Sequence, residues 1–158
     1  MRILIDADGC PVVDYAIALA QEFQLECIIL CDTAHYFNRE GARTIVLSQG
    51  ADSVDFALVN MVRANDIVVT QDYGVAAMAL GKNAYAIHQS GKWFTDENID
   101  QMLMERHLAK KARRGSSKNH LKGPRKRTVE DDERFAESFE KLLGKTDAKD
   151  GEGRQLLL

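Results

Sequence analysis

The chain has 158 residues, of which 45% are hydrophobic and 28% are charged, a composition typical of a globular domain rather than a disordered or fibrous chain. No run of 18 apolar residues is present, and the first acid follows a very short apolar stretch, so we expect neither a transmembrane helix nor a signal peptide. The net charge of −3 averages two unlike regions, because ten of the 21 Lys and Arg residues lie in the acid-free segment 106–127. This asymmetry predicts a polyanionic partner, and the free cysteines described below predict a reducing, cytoplasmic environment.

Short apolar runs alternate with amphipathic stretches in the first part of the chain. The runs at 3–5, 27–30, 44–47, 67–69 and 85–87 predict five strands. Helices are predicted at 11–23, 52–62 and 75–80 between them, and at 97–114 and 130–143 after them. This β-α-β order predicts an α/β protein, a three-layer sandwich with a mostly parallel sheet of about five strands.

A basic C-terminal extension follows the predicted sheet. Residues 1–114 are expected to form the α/β domain, 115–128 a basic flexible arm, 129–144 a closing helix and 145–158 a disordered tail. Cations of the fourth predicted helix and the arm are candidate contacts for nucleic-acid phosphates, although a solvated basic surface without a partner is the alternative. These cations are Arg106, Lys110, Arg113, Arg114, Lys118, Lys122, Arg125, Lys126 and Arg127.

Acids stand where two of the predicted strands end. Asp6 and Asp8 follow the first strand, and Asp72 follows the fourth. Asp52 and Asp55 open the second predicted helix. Because parallel strands end at one edge of a sheet, where α/β proteins bind ligands, we expect these carboxylates to converge. Crowded carboxylates require a compensating cation, and their oxygen atoms suit Mg²⁺ or Mn²⁺.

Each acid also has a structural interpretation. Asp8 and Asp52 are suitable helix N-caps, Asp55 complements a helix dipole, and Asp72 suits a turn. Asp6 is the hardest to explain in this way, because a carboxylate at the end of a buried strand needs a partner.

The three cysteines make an odd count without a metal-binding pair. Cys27 and Cys31 lie in an apolar run and are predicted to be buried thiols. Cys10 lies beside the acids, whose charge raises the pKa of a thiol and argues against a nucleophile.

Three motifs closely resemble the YaiI/YqxD family of uncharacterised bacterial proteins. They are residues 6–12 (Asp-Ala-Asp-Gly-Cys-Pro-Val), 50–55 (Gly-Ala-Asp-Ser-Val-Asp) and 70–76 (Thr-Gln-Asp-Tyr-Gly-Val-Ala). The later segment 123–125, followed by Asp131, Asp132 and Phe135, also fits, so the resemblance covers nearly the whole chain.

More distantly, that family is grouped with the PIN-like and NYN nuclease fold. This resemblance implies that Asp6, Asp52, Asp55 and Asp72 hold Mg²⁺ or Mn²⁺, with Asp8, Thr70 and Gly74 in supporting positions. The chain lacks a clear further acid after Asp72, which leaves open whether a second metal ion binds.

The leading hypothesis is therefore a metal-dependent nuclease acting on RNA or other nucleic acid, in which Asp6 and Asp72 bind the cation directly. An aspartyl-phosphate phosphatase is the second hypothesis, since an apolar strand followed by Asp-x-Asp also opens that class; Asp6 would be its nucleophile and Asp8 its general acid. A non-catalytic nucleic-acid-binding module is the third. The roles of His35 and His88 are left open.

Overall fold

The structure, a computed structural model, describes residues 1–34, 38–48, 50, 53–115 and 125–155. The strands are β1 (Arg2–Asp6), β2 (Glu26–Asp32), β3 (Arg43–Leu47), β4 (Ile67–Val69), β5 (Tyr85–Ile87) and β6 (Trp93–Phe94). The helices are α1 (Val13–Glu22), α2 (Ser53–Met61), α3 (Tyr73–Gly81), α4 (Ile99–Gly115) and α5 (Val129–Gln155). All five strands predicted from the sequence are present, in an α/β arrangement.

The strands form one sheet in the order β3-β2-β1-β4-β5-β6. Strands β1 to β5 are parallel, and only β6 runs antiparallel to its neighbour. From β1 the chain builds outwards to β2 and β3, then returns to place β4 and β5 on the other side. The junction of β1 and β4 is therefore the topological switch point, the position at which open α/β sheets bind their ligands.

The core has two apolar layers because side chains alternate between the faces of the sheet. Ile3 and Ile5 of β1 pack with α1 and α5, whereas Leu4 packs with α2, α3 and α4. The helices cover both faces, which gives the three layers predicted from the sequence. Within the described part of the chain, no helix is both long enough and apolar enough to cross a membrane.

Strand β6 was not predicted from the sequence, because its two residues are too few to show a pattern. Phe94 is buried in the core, where its ring packs at 5.5 Å from that of Tyr73. The Trp93 ring is half-buried; its Nε1 donates to the carbonyl of Ser138, and the Lys145 ammonium lies 5.5 Å from the ring centroid. Both aromatic residues therefore anchor the edge of the sheet.

Helix α5 is longer and more central than the closing helix predicted at 129–144. It runs on to Gln155, through much of the segment that the sequence assigned to a disordered tail. Phe135 and Phe139 are fully buried against the sheet, with ring centroids 5.4 Å apart. Thr146 is also buried, and its hydroxyl donates to the carbonyl of Leu143. These contacts make α5 an integral layer of the α/β domain. The predicted arm falls largely on 116–124, outside the described residues.

Candidate functional site

Asp6 lies at the carboxyl end of β1, at the switch point of the sheet. It shares a strand face with Leu4, so its side chain projects on the side covered by α2, α3 and α4. Only 8% of the residue is exposed. The Thr70 hydroxyl donates to Asp6 Oδ2 at 2.9 Å and accepts from the Asp72 N–H at 3.0 Å. Thr70 therefore joins the ends of β1 and β4.

Asp72 is both a helix cap and a residue of this edge. Its Oδ1 accepts from the backbone N–H groups of Gly74 at 2.8 Å and Val75 at 3.1 Å, which are unpaired donors of the first turn of α3. A Cβ atom at position 74 would lie 3.2 Å from that oxygen, so glycine permits this close approach. Capping fixes the orientation of the carboxylate beside Asp6.

Asp8 does not cap α1, whose N-cap is Val12 without a side-chain hydrogen bond. Its Oδ1 instead accepts from the N–H of Asp32 at 3.3 Å, so it bridges the ends of β1 and β2. Asp32, the last residue of β2, was not identified from the sequence. The same signal, an acid directly after a buried apolar run, would have identified it: Leu30 and Asp32 share a strand face just as Leu4 and Asp6 do.

These side chains line one open cavity of about 850 Å³ at the carboxyl end of the sheet. The acids that line it are Asp6, Asp8, Asp32, Asp55 and Asp72. Two cations from α4, Arg106 and Arg113, also line it. The cavity therefore combines a carboxylate floor with guanidinium groups on one side.

The pKa of Asp6 is raised from its usual 3.8 to about 6, mainly by burial and in addition by the charges of Asp55, Asp72 and Asp8. The hydrogen bond from Thr70 opposes this shift, since it favours the ionised form. Asp55 lies in the first turn of α2, as predicted. Asp52, predicted to open the same helix, lies outside the described residues. The predicted carboxylates that the structure describes thus act on one another.

No group of three or more His, Cys, Asp or Glu side chains within the described ranges is arranged to hold a metal ion. The carboxylates share a cavity but do not form a closed set of ligands. His35, whose role the sequence left open, is not described, whereas His88 lines the cavity.

The candidate phosphate contacts of α4 separate into two groups. Arg106 and Arg113 line the cavity, and the Arg106 guanidinium lies 5.3 Å from the ring centroid of Tyr73. Lys110 and Arg114 are exposed and are not among the residues that line it. A spacing of seven residues places the two cavity arginines about two turns apart on one side of the helix. The sequence analysis had grouped all four cations together as candidate phosphate contacts.

The later cations have protein partners that the sequence did not reveal. Arg125 is paired with Asp131 at 2.6 Å. Arg127 is paired with Asp132 at 2.6 Å and donates to the carbonyl of Gln89 at 3.0 Å. Through Arg127, the segment at the start of α5 is connected to Gln89 at the rim of the cavity. Lys126 is exposed, while Lys118 and Lys122 lie outside the described residues.

Two of the cysteines are buried, as predicted, and the pKa of the third is raised mainly by burial rather than by charge. Cys27 and Cys31 are buried. Burial is the main cause that raises the pKa of the Cys10 thiol to about 11, with a smaller contribution from the charge of Asp6. A raised pKa keeps a thiol protonated, so the surroundings of Cys10 argue against a nucleophile.

Comparison with known proteins identifies one family. The model described as "Uncharacterized BCR, YaiI/YqxD family" matches residues 4–145. A UPF0178 protein of Clostridium acetobutylicum is 61% identical over 143 residues, which cover 90% of this chain and 97% of that protein. UPF0178 proteins of Exiguobacterium sibiricum and Lachnoclostridium phytofermentans are each 53% identical, over 90% of this chain and 96% and 97% of theirs. No solved structure shows significant similarity to the chain.

Proposed function

The chain belongs to the YaiI/YqxD family, and from the acids and arginines of its cavity we propose that it is a metal-dependent nuclease that hydrolyses phosphodiester bonds in RNA. One observation carries the proposal: carboxylates from the ends of β1, β2 and β4 share a single cavity with two guanidinium groups, at the switch point of the sheet. Carboxylates suit a hard cation, and guanidinium groups suit the phosphate of a substrate.

The ligand atoms offered by the cavity fit Mg²⁺ or Mn²⁺. They are carboxylate oxygens, and Mg²⁺ commonly uses only one or two protein carboxylates, with water and substrate phosphate completing its shell. Among the described residues no three such side chains are clustered, so an ion held by two carboxylates would complete its shell with water and phosphate. Asp6 and Asp72 would hold the ion, assisted by Asp55. When bound, the ion would lower the pKa of a coordinated water and offset charge on the phosphoryl oxygens.

The protein orients these ligands before any ion binds. Thr70 donates to one oxygen of Asp6, and the first turn of α3 holds one oxygen of Asp72. Burial and the neighbouring negative charges raise the free energy of the ionised Asp6 carboxylate. A cation that neutralises this charge would therefore bind more favourably. Asp52 keeps its proposed ligand role on the basis of the sequence alone.

Arg106 and Arg113 supply the contacts to the substrate backbone. The Tyr73 ring lies against Arg106, which restricts that side chain and keeps its charge at the cavity. Guanidinium groups bind phosphate through paired N–H donors, so the two arginines suit adjacent phosphates of one strand. Their contribution is electrostatic and weakens as salt concentration rises. Arg125 and Arg127, which are engaged with α5, take a structural role in this proposal.

The phosphatase alternative receives less support from the site. That chemistry requires a lysine against the phosphate, and the described residues that line the cavity include arginines but no lysine. The non-catalytic alternative shares every binding feature with the nuclease and differs only in turnover.

The test is cleavage of a 5′-fluorescent single-stranded RNA by purified protein with Mn²⁺ or Mg²⁺. We expect cleavage that EDTA abolishes and that Asp6→Asn lowers by at least about a hundredfold, because the substitution removes a charge from the metal site. The matched control is Asp100→Asn, the same change at an exposed position in the first turn of α4, which should cleave like the wild type.

Three outcomes would contradict the proposal. Equal cleavage by wild type and Asp6→Asn would indicate a contaminating nuclease. Turnover of small phosphomonoesters with a trapped aspartyl phosphate on Asp6 would indicate the phosphatase. RNA binding without cleavage under either metal ion would indicate the non-catalytic module.

A further inference from the structure

The turn that follows β5 also reaches the cavity, through His88 and Gln89. Neither residue belongs to the carboxylate cluster or to the basic helix. Both stand at the carboxyl end of a parallel strand, on the same edge of the sheet as Asp6 and Asp72. They are therefore placed to contact a substrate held at the acids.

His88 is fixed in one tautomer. Its Nδ1 accepts from the backbone N–H of Ser90 at 3.0 Å and lies 2.9 Å from the Ser90 hydroxyl. A backbone N–H only donates, so Nδ1 carries no hydrogen and the neutral ring carries its hydrogen on Nε2. Burial lowers the pKa of His88, as do the charges of Arg127, Arg106 and Lys92. The ring is thus a neutral donor through Nε2.

Gln89 provides a hydrogen-bond acceptor, which complements the donor of His88. Its backbone carbonyl accepts from Arg127, but its side-chain Oε1 is buried and accepts no hydrogen bond from the described part of the chain. A buried acceptor without a donor is costly, and proteins rarely leave one in place without a water or ligand to satisfy it. The side chain therefore requires a donor that the fold does not supply.

Helix α5 holds this turn in place. Ser138 donates to the carbonyl of Gly91, and Arg127 holds the carbonyl of Gln89. Gly91 has φ of +91°, and a Cβ there would lie 3.0 Å from the carbonyl oxygen of Arg134. Glycine is thus required for the close packing of the turn on α5. The donor and the acceptor are consequently arranged before a substrate arrives.

We propose that His88 and Gln89 form a subsite for the 2′-hydroxyl of a ribose, and so select RNA over DNA. The hydroxyl would accept from His88 Nε2–H and donate to Gln89 Oε1. A hydroxyl does both at once, and deoxyribose does neither. A site built to pair with a hydroxyl rejects the analogue that lacks it, because its own polar groups are then left unpaired. The inference rests on the proposed nuclease function, of which it names the substrate class.

The test compares binding in EDTA, by fluorescence anisotropy, of three single strands of the same sequence: RNA, DNA and 2′-fluoro RNA. The last keeps the sugar conformation of RNA but lacks the hydroxyl, so it separates a hydroxyl contact from recognition of shape. We expect the wild type to bind RNA about a hundredfold more tightly than either analogue, because the hydroxyl makes two hydrogen bonds that each contribute about tenfold. Metal-free binding keeps this result independent of whether the protein cleaves RNA.

Two substitutions locate the preference. Gln89→Met keeps the length of the side chain and removes its acceptor, and His88→Phe keeps a ring against Tyr73 and Phe94 and removes its donor. Each should reduce the ratio of RNA to DNA affinity about tenfold. Gln101→Met, the same change at an exposed position of α4, is the matched control and should keep the wild-type ratio.

Equal binding of RNA and 2′-fluoro RNA by the wild type would overturn the subsite. Variants that lose affinity for all three strands equally would also overturn it, because the residues would then only support the turn. A wild type that prefers RNA in EDTA but never cleaves it would refute the nuclease while leaving the subsite standing.

Discussion

Two buried aspartates at opposite edges of the same sheet have contrasting surroundings. At the amino edge, Asp66 is 2% exposed and pairs with the Arg2 guanidinium at 2.7 Å. It also accepts from the backbone N–H groups of Arg2 and Arg63. At the carboxyl edge, Asp6 is 8% exposed and receives one hydrogen bond from the described residues, that of Thr70. The charged groups that act on it, Asp55, Asp72 and Asp8, are all acids.

The contrast separates a carboxylate that stabilises the fold from one that the fold tolerates. Asp66 has a cation and two backbone donors, so its burial is compensated. Asp6 is desolvated, and no cation among the described residues compensates its charge; groups of this kind are enriched at functional sites. Burial alone does not distinguish the two residues; their partners do.

The largest expected effect tests the structural side of this comparison. Asp66→Asn should lower the free energy of unfolding by about 3 kcal/mol, because it breaks a buried ion pair and turns an amide NH₂ towards a backbone donor. Urea unfolding followed by circular dichroism measures this change, with Asp100→Asn as the control. A loss below about 1 kcal/mol would mean that solvent screens the ion pair between Arg2 and Asp66. It would contradict the conclusion that Asp66 stabilises the fold.

The opposite change in the free energy of unfolding, an increase, is expected for Asp6→Asn when it is measured in EDTA. The folded pKa of about 6 lies above the usual 3.8, so the folded wild type binds its proton more tightly and loses stability as pH rises from about 4 to about 6. Asparagine resembles the protonated form. Asp6→Asn should therefore stabilise the protein by roughly 2–3 kcal/mol at pH 7.5 and have no such effect at pH 4. A destabilised variant at pH 7.5 would show that the acids are compensated in the fold.

The smallest effect concerns the cation itself. Mn²⁺ at ten times its Kd should stabilise the wild type by about 1.4 kcal/mol, or roughly 3–6 °C in Tm, by preferential binding to the folded state. Asp66→Asn should have a lower Tm than the wild type but show the same rise on adding Mn²⁺. Asp6→Asn should show no rise. Differential scanning fluorimetry measures these increments. An equal increase in Tm on adding Mn²⁺ in the two variants would show that the ion does not bind at the carboxyl edge.

The sequence was most informative where local pattern and position coincide. The strands were visible as apolar runs, and Asp6 and Asp72 were identified because an acid ends such a run. A helix was predicted at 130–143, and within it Phe135, Phe139, Leu142 and Leu143 lie on one stripe and are buried. The same reasoning would have reached Asp32, which was overlooked in its long apolar strand.

Features that depend on distant partners were not accessible. Arg127 resembled its exposed basic neighbours, and only the position of α5 pairs it with Asp132 and Gln89. The polar segment after residue 144 had the composition of a tail, yet Thr146 is buried within the helix. His88 belongs to no motif; the role proposed for it depends on a backbone donor and a cavity that only the fold creates.

The anchoring of the β5 turn by the segment around the start of α5 has a consequence for when the cavity is assembled during translation. Asp6 leaves the ribosome well before Arg127 and Ser138, which hold the turn and are synthesised after the six strands that the structure describes. Phe135 and Phe139, which cover one face of the sheet, emerge in the same late segment. A nascent chain therefore carries its acids long before the turn beside them is ordered, and the cavity is completed only when the sheet is covered.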